Sequence, residues 1–142
     1  KFFGEVAYPL SLLKTFFSYT PHQLRIEVYC KGGVRVEEGY YALVCNIGKY
    51  TRLFQMIPDA RDDDGLLDIL IFKNKDLLSQ FMYLYSVLAK NHTSRSDITH
   101  LQGERIRISA RQSVLAHADA ELVGTTPLEI SVVPRALEVI VR

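Results

Sequence analysis

Residues 57 to 72 read Ile57-Pro58-Asp59-Ala60-Arg61-Asp62-Asp63-Asp64-Gly65-Leu66-Leu67-Asp68-Ile69-Leu70-Ile71-Phe72, an acidic segment followed by a run of apolar side chains. Proline presets a turn dihedral, and Asp-Gly favours a tight turn because glycine accepts a positive φ without steric cost. The residues from Leu66 to Phe72 are mostly aliphatic and partly β-branched, which is typical of a buried strand. The stretch therefore predicts an acidic turn held against the hydrophobic core.

The three adjacent aspartates of this turn repel one another, so solvent, an arginine such as Arg61 or a hard cation must offset their charge. A solvated acidic turn is the structural interpretation, and a metal site is the functional one. An EF-hand does not fit, because with Gly65 at the loop's glycine position the closing glutamate position falls on Ile71. A metal here would have to combine one or two carboxylates with backbone carbonyls and water.

The size and charge of the chain limit its function class. Its 142 residues predict one domain, residues 1–142, and its net charge of +1 gives no global field that favours nucleic acid or a membrane surface as a partner. The sequence has no run of 18 apolar residues and no signal-peptide pattern. Cys30 and Cys45 lie in separate strand-like segments, which predicts two free, buried thiols and a reducing, cytoplasmic setting. Because the chain starts at Lys1 without methionine, we expect a domain of a longer protein.

The hydrophobic pattern predicts mostly strands. Alternating or continuous apolar residues indicate strands at Leu24–Lys31, Val34–Val36, Tyr40–Ile47, Leu66–Phe72, Arg105–Ala110, Val114–Ala118, Leu128–Val132 and Leu137–Val141, with a turn at Gly32–Gly33. Helical spacing predicts helices at Tyr8–Tyr19 and Asp76–Asn91. The predicted fold class is mainly β: an antiparallel β-sandwich with one or two α-helices. The wide apolar face of Asp76–Asn91 favours plain core over a lipid groove.

The chain contains two ordered motifs. The first consists of Pro58, Ala60, Asp64, Gly65, Leu67 and Asp68. The second consists of Asp119-Ala120-Glu121, Pro127-Leu128-Glu129-Ile130 and Pro134-Arg135-Ala136-Leu137-Glu138-Val139. Together they resemble the C-terminal domain of the diacylglycerol kinase-like lipid kinases, a family that includes bacterial lipid kinases and sphingosine kinase-like enzymes. Gly4-Glu5-Val6-Ala7-Tyr8 is similar to the family's lead into the domain. The sequence departs from the pattern at Ala120, where the family has glycine, and at Asn46–Arg52, which lacks paired glycines.

The resemblance implies a function. It makes this chain the C-terminal, substrate-cleft domain of an ATP-dependent lipid kinase, whose N-terminal nucleotide-binding domain lies outside the chain. It implies Glu121 as the general base, Asp119 as the residue that orients it, and Asp64 with the backbone carbonyls of Arg61 and Leu66 as ligands of a structural Mg²⁺. The substrate would be diacylglycerol or a related lipid with a free hydroxyl. The isolated domain should be inactive.

The residues alone leave alternatives open. Asp119 and Glu121 would point to one face if their strand continued regularly, but without the resemblance the residues favour a solvated hairpin edge. A non-catalytic β-sandwich that binds lipid or protein is one competing function, and an NAD kinase-like fragment is another. Peripheral contact with the inner face of the membrane and a homodimer also remain open. None of His22, His92, His100 and His117 has metal-ligand spacing, and each is expected at the surface or as a satisfied core residue.

Overall fold

The computed structural model describes residues 20–47, 57, 60–61, 63–119, 121–134 and 136. This part of the chain forms nine strands, one α-helix and a short 3₁₀ helix at His92–Ser94. The elements are β1 (Leu24–Cys30), β2 (Gly33–Gly39), β3 (Tyr41–Cys45), β4 (Leu67–Phe72), α1 (Leu77–Leu88), β5 (Ile98–Gly103), β6 (Arg105–Ala110), β7 (Leu115–Ala118), β8 (Glu121–Thr125) and β9 (Leu128–Ser131). The predicted helix Tyr8–Tyr19 and the predicted last strand Leu137–Val141 lie outside the described residues.

The strands form two packed sheets and a separate hairpin, all antiparallel. The first sheet has the order β2-β1-β6-β9, the second β3-β4-β5, and β7 pairs only with β8. Alternate side chains of β1 and β6 meet those of β4 in the main core, which contains Leu24, Ile26, Val28, Leu67, Ile69, Ile71, Ile106 and Ile108. The predicted antiparallel β-sandwich is confirmed.

Strand β4 is buried along its whole length because both of its faces are covered. Ile69 and Ile71 face the first sheet, whereas Leu70 and Phe72 lie in a second cluster with Tyr83 of α1. The Phe72 and Tyr83 rings pack with their centroids 5.0 Å apart. This double coverage explains why the sequence from Leu67 to Phe72 is nearly continuously apolar instead of alternating.

The chain passes from one sheet to the other at two corners, each marked by a buried glycine. Gly39 ends β2 and leads into β3, and Gly103 ends β5 and leads into β6. A Cβ added at Gly39 would lie 2.6 Å from Cγ2 of Ile71, and one at Gly103 would lie 2.7 Å from the carbonyl oxygen of Tyr29. Only glycine fits where the backbones of the two sheets come this close.

Helix α1 begins and ends close to the predicted limits. The carboxylate of Asp76 caps it by accepting hydrogen bonds from the backbone N–H and the hydroxyl of Ser79, at 2.9 and 2.6 Å. These bonds lower the pKa of Asp76. The helix ends before Lys90, whose φ is +57°. However, the prediction that its apolar face is plain core is wrong, because Leu77, Leu78, Phe81, Met82, Leu84, Tyr85 and Leu88 are exposed.

Two smaller predictions also need correction. The β1–β2 turn is Lys31-Gly32 and pairs Cys30 with Gly33, one residue earlier than predicted, because the hairpin uses a two-residue loop. Cys30 and Cys45 are free, as predicted, but half-buried instead of buried. The Cys30 thiol donates to the carbonyl of Gln102, across the boundary between the two sheets, at 3.0 Å.

We expect the substitution Gly103→Ala to destabilise the protein by about 1–3 kcal/mol, because the added methyl group must displace the β1 backbone. Gly32→Ala is the matched control, since a Cβ there would meet nothing within 4 Å. Urea unfolding of the two variants measures the difference. Equal free energies of unfolding for both variants would show that the corner at Gly103 tolerates a side chain.

Candidate functional site

The acidic turn is held by an ion pair within the turn itself. The Arg61 guanidinium donates through Nε and Nη2 to the two carboxylate oxygens of Asp63, at 3.0 and 3.1 Å. This pairing lowers the pKa of Asp63 and offsets part of the local negative charge. Both side chains are exposed, so the pair orders the turn more than it stabilises the fold.

Asp64 holds the other half of the turn. Its Oδ1 accepts a hydrogen bond from the backbone N–H of Leu66 at 2.8 Å, an Asx turn across Gly65. Gly65 has a φ of +72°, as the Asp-Gly pair predicted. A Cβ on Gly65 would lie 3.9 Å from Cγ of Pro134, so the turn lies beside the segment that follows β9. The structure thus brings part of the first sequence motif next to part of the second.

The donor groups at this turn match the magnesium preference for few carboxylates, with carbonyls and water completing the shell. The predicted set consists of the carboxylate of Asp64 and the carbonyls of Arg61 and Leu66. Within the described ranges, no three His, Cys, Asp or Glu side chains come together as a metal site. A Mg²⁺ ion at this turn would therefore depend on main-chain carbonyls, and the Asp64, Arg61 and Leu66 assignment stays a prediction.

Asp119 and Glu121 lie at the tip of the β7–β8 hairpin. Ala118 pairs with Glu121, so Asp119 lies in the loop between β7 and β8. Asp119 has a φ of +50°, which aspartate tolerates better than most residues. The strand therefore does not run on through Asp119, so the condition under which both carboxylates would point to one face is not met. Glu121 is the first residue of β8.

Both tip carboxylates are exposed, and neither has a hydrogen-bond or ion-pair partner among the described residues. The hairpin is joined to the sandwich at its base, where the N–H of Thr126 donates to the carbonyl of Val114 at 2.9 Å. The base of the hairpin follows Ala110, the last residue of β6. The acidic turn lies near the other end of β6, where Arg105 pairs with Ser131 of β9. No hydrogen bond between the described residues connects the hairpin tip to the acidic turn.

A polar pair between a buried aspartate and an exposed histidine lies beside the acidic turn and was not predicted. Asp68 is fully buried in β4, and its Oδ1 is 2.6 Å from Nε2 of His100 on β5. The other oxygen, Oδ2, has no partner within the described part of the chain. Cys45 pairs with Asp68 across β3 and β4, and burial together with the charge of Asp68 raises the pKa of its thiol. Cys45 is thus a neutral thiol and a poor nucleophile.

The sequence indicates that Asp68 needs a partner, but it does not identify His100 as that partner. An aspartate within an aliphatic run is unusual, and a partner for it could have been expected. The identity of that partner depends on the β4–β5 register, which aligns Leu70 with His100 and Asp68 with Gln102. His100 is 32 residues away, and its spacing alone gave no reason to place it there.

The chain is similar in sequence to a known family and to two named proteins. The family model described as the YegS C-terminal NAD kinase beta sandwich-like domain matches residues 1–141. The chain is 25% identical over 134 residues to YtlR of Bacillus subtilis (strain 168), a protein provisionally named a lipid kinase. It is 23% identical over 137 residues to the diacylglycerol kinase of the same organism. These matches cover 94% and 96% of this chain but 43% and 45% of the relatives, so the chain spans less than half of their length.

Solved structures share the fold. The crystal structure of a diacylglycerol kinase from Bacillus anthracis str. Sterne superposes with a TM-score of 0.57 at 22% identity, over 87% of this chain and 42% of that one. The structural match supports the sandwich architecture, and the family match covers nearly every residue. The chain belongs to the YegS C-terminal NAD kinase beta sandwich-like domain family, the C-terminal domain of diacylglycerol kinase-like proteins, as the two sequence motifs predicted.

Proposed function

We propose that this domain forms the substrate cleft of an ATP-dependent lipid kinase, which transfers the γ-phosphate of ATP to a hydroxyl of diacylglycerol or a related lipid. Family membership and the kinase names of two relatives support the proposal. The chain corresponds to less than half of those relatives, so a further domain of the full-length protein would bind the nucleotide. We place the enzyme in the cytoplasm, with its own N-terminal domain as the obligatory partner.

The observation that carries the proposal is the state of Glu121. Its carboxylate is exposed at the start of β8, and no described residue donates a hydrogen bond to it or forms an ion pair with it. A general base must have a free lone pair within reach of the proton that it removes. A carboxylate at the tip of a projecting hairpin meets that requirement once a second domain closes over it. In the transfer step, Glu121 would accept the lipid hydroxyl proton as the oxygen attacks the γ-phosphorus and ADP leaves.

Asp119 would act through Glu121. Its positive φ turns the chain so that β8 starts at Glu121, directly across from Ala118. Asp119 is therefore proposed as a positioning residue.

Asp64, with the carbonyls of Arg61 and Leu66, would hold Mg²⁺ at the acidic turn. When bound, the ion would act as a structural Mg²⁺ that holds the acidic turn in place near the nucleotide phosphates. The residues of this chain contribute a preformed loop: the Asx turn fixes Asp64, and the Arg61–Asp63 pair keeps the neighbouring carboxylate occupied. The other oxygen of Asp64, Oδ2, takes no part in the Asx hydrogen bond and can face a cation.

The substitution Glu121→Gln in the full-length protein should lower turnover by at least about 100-fold, because the amide keeps the shape of the side chain but cannot accept the proton. Glu129→Gln is the control, since Glu129 is exposed on β9 and only weakly paired with Arg105, at 3.6 Å. Nucleotide affinity and the melting temperature should change little in either variant. A residual rate within a few-fold of the wild type would assign proton removal to another group.

Asp64→Asn should raise the Mg²⁺ concentration needed for half-maximal activity by about tenfold or more, because it removes the only side-chain charge of the proposed ligand set. Asparagine can still accept the hydrogen bond from Leu66, so the turn should keep its shape. Asp63→Asn is the matched control, because Asp63 is already engaged by Arg61. The metal assignment would be wrong if both variants showed the Mg²⁺ titration of the wild type.

A further inference from the structure

Helix α1 exposes its apolar side to solvent, whereas an ordinary surface helix packs that side against the core. Its seven exposed apolar side chains fall within one arc of about 160° when consecutive residues are placed 100° apart. These residues, named here the apolar face, are Leu77, Leu78, Phe81, Met82, Leu84, Tyr85 and Leu88. Leu78 is 71% exposed and Tyr85 66%. A contiguous exposed surface of this kind normally marks an interaction site.

The opposite side of the helix is fixed to the second sheet. Tyr83, Ser86 and Val87 are its buried residues. The Tyr83 hydroxyl accepts a hydrogen bond from the N–H of Asn74 at 3.0 Å and its ring packs against Phe72 of β4, whereas the Ser86 hydroxyl bonds within the helix to the carbonyl of Tyr83 at 2.8 Å. The helix cannot turn its apolar face inward without breaking these contacts and removing Tyr83 from Phe72. The packing of Tyr83 against the second sheet therefore keeps the apolar face exposed.

The charges around the apolar face are arranged at its two ends. Residues 77–88 contain no charged side chain, and an exposed lysine stands near each end, Lys75 before the helix and Lys90 after it. Neither lysine has an ion-pair partner among the residues that the structure describes; Lys75 lies over the Tyr40 ring at 5.4 Å. Asp76 also lies at the N-terminal end, where it accepts hydrogen bonds from Ser79 and keeps its negative charge. An uncharged face between two lysines complements an apolar layer bounded by negative charge.

We propose that the apolar face of α1 lies in the interfacial region of a bilayer containing anionic phospholipids, and that it brings the active site to a lipid substrate. This inference rests on the proposed lipid kinase function and extends it by naming the surface that reaches the membrane. Leu78, Met82 and Tyr85 enter the boundary between headgroups and acyl chains, and Lys75 and Lys90 contact lipid phosphates. The helix is about 18 Å long and lies in the plane of the surface.

A second copy of the chain fits this surface less well. If two copies packed along α1 in antiparallel orientation, Lys75 of one would meet Lys90 of the other. In parallel orientation each lysine would meet its own counterpart. Both arrangements bring like charges together at the rim, which opposes association. An anionic bilayer satisfies both lysines at once.

The test uses the full-length protein and sedimentation with vesicles of equal parts phosphatidylcholine and phosphatidylglycerol. The double variant Leu78→Glu and Tyr85→Glu should bind these vesicles at least about tenfold more weakly, since it loses apolar insertion and gains repulsion. Val34→Glu, at another exposed apolar position, is the matched control and should bind like the wild type. Glu121→Gln should also bind like the wild type, so the membrane contact is tested independently of catalysis.

A second measurement covers the case in which the double variant does not fold. Because this chain has no tryptophan, the substitution Leu78→Trp adds tryptophan fluorescence from that position to the wild-type spectrum. Its emission should shift to the blue on adding vesicles and be quenched by lipids brominated on the acyl chain, whereas Val34→Trp should show neither effect. Three results would overturn the proposal: a wild type that does not bind the vesicles, a Leu78→Trp emission unchanged by them, or a double variant that binds normally.

Discussion

The close approach of the two sheets at Gly39 and Gly103 is the constraint on which the rest of the structure depends. At each of these corners the chain leaves one sheet and enters the other, with backbone atoms less than 3 Å from where a Cβ would stand. The N–H of Tyr40 then bonds to the carbonyl of Phe72, and that of Glu104 to the carbonyl of Tyr29. The corners fix β4 between two apolar layers, so the acidic turn that precedes β4 starts from a rigid position.

The two candidate sites differ in how they are supported. The acidic turn is held by its own hydrogen bonds, by β4 and by the proximity of Pro134. The hairpin tip with Asp119 and Glu121 is attached to the sandwich mainly through Val114 and Thr126 and is exposed on nearly all of its residues. Such a hairpin suits a group that must reach a substrate held elsewhere, provided that another domain restricts its position when the substrate binds.

Local patterns in the sequence predicted most of the fold. Period-two alternation located β1, β6 and β9, and the Asp64-Gly65 pair located the turn before β4. Tertiary information was missing where predictions failed. The apolar residues of α1 suggested core, because periodicity identifies an apolar face but not the direction in which it points. His100 became the partner of Asp68 only through the β4–β5 register. The break of the strand at Asp119 follows from the positive φ of that residue, which family resemblance alone did not specify.

The central claim is that this domain serves phosphoryl transfer to a lipid. Because the family is named for its likeness to the NAD kinase sandwich, NAD is the alternative phosphate acceptor to test. The most direct measurement incubates the full-length protein with ATP labelled at the γ-phosphate, diacylglycerol vesicles, NAD and Mg²⁺, and follows where the label goes. The account predicts label in a phospholipid product, lost in Glu121→Gln. Label in NADP, or in no acceptor under any lipid tested, would contradict it.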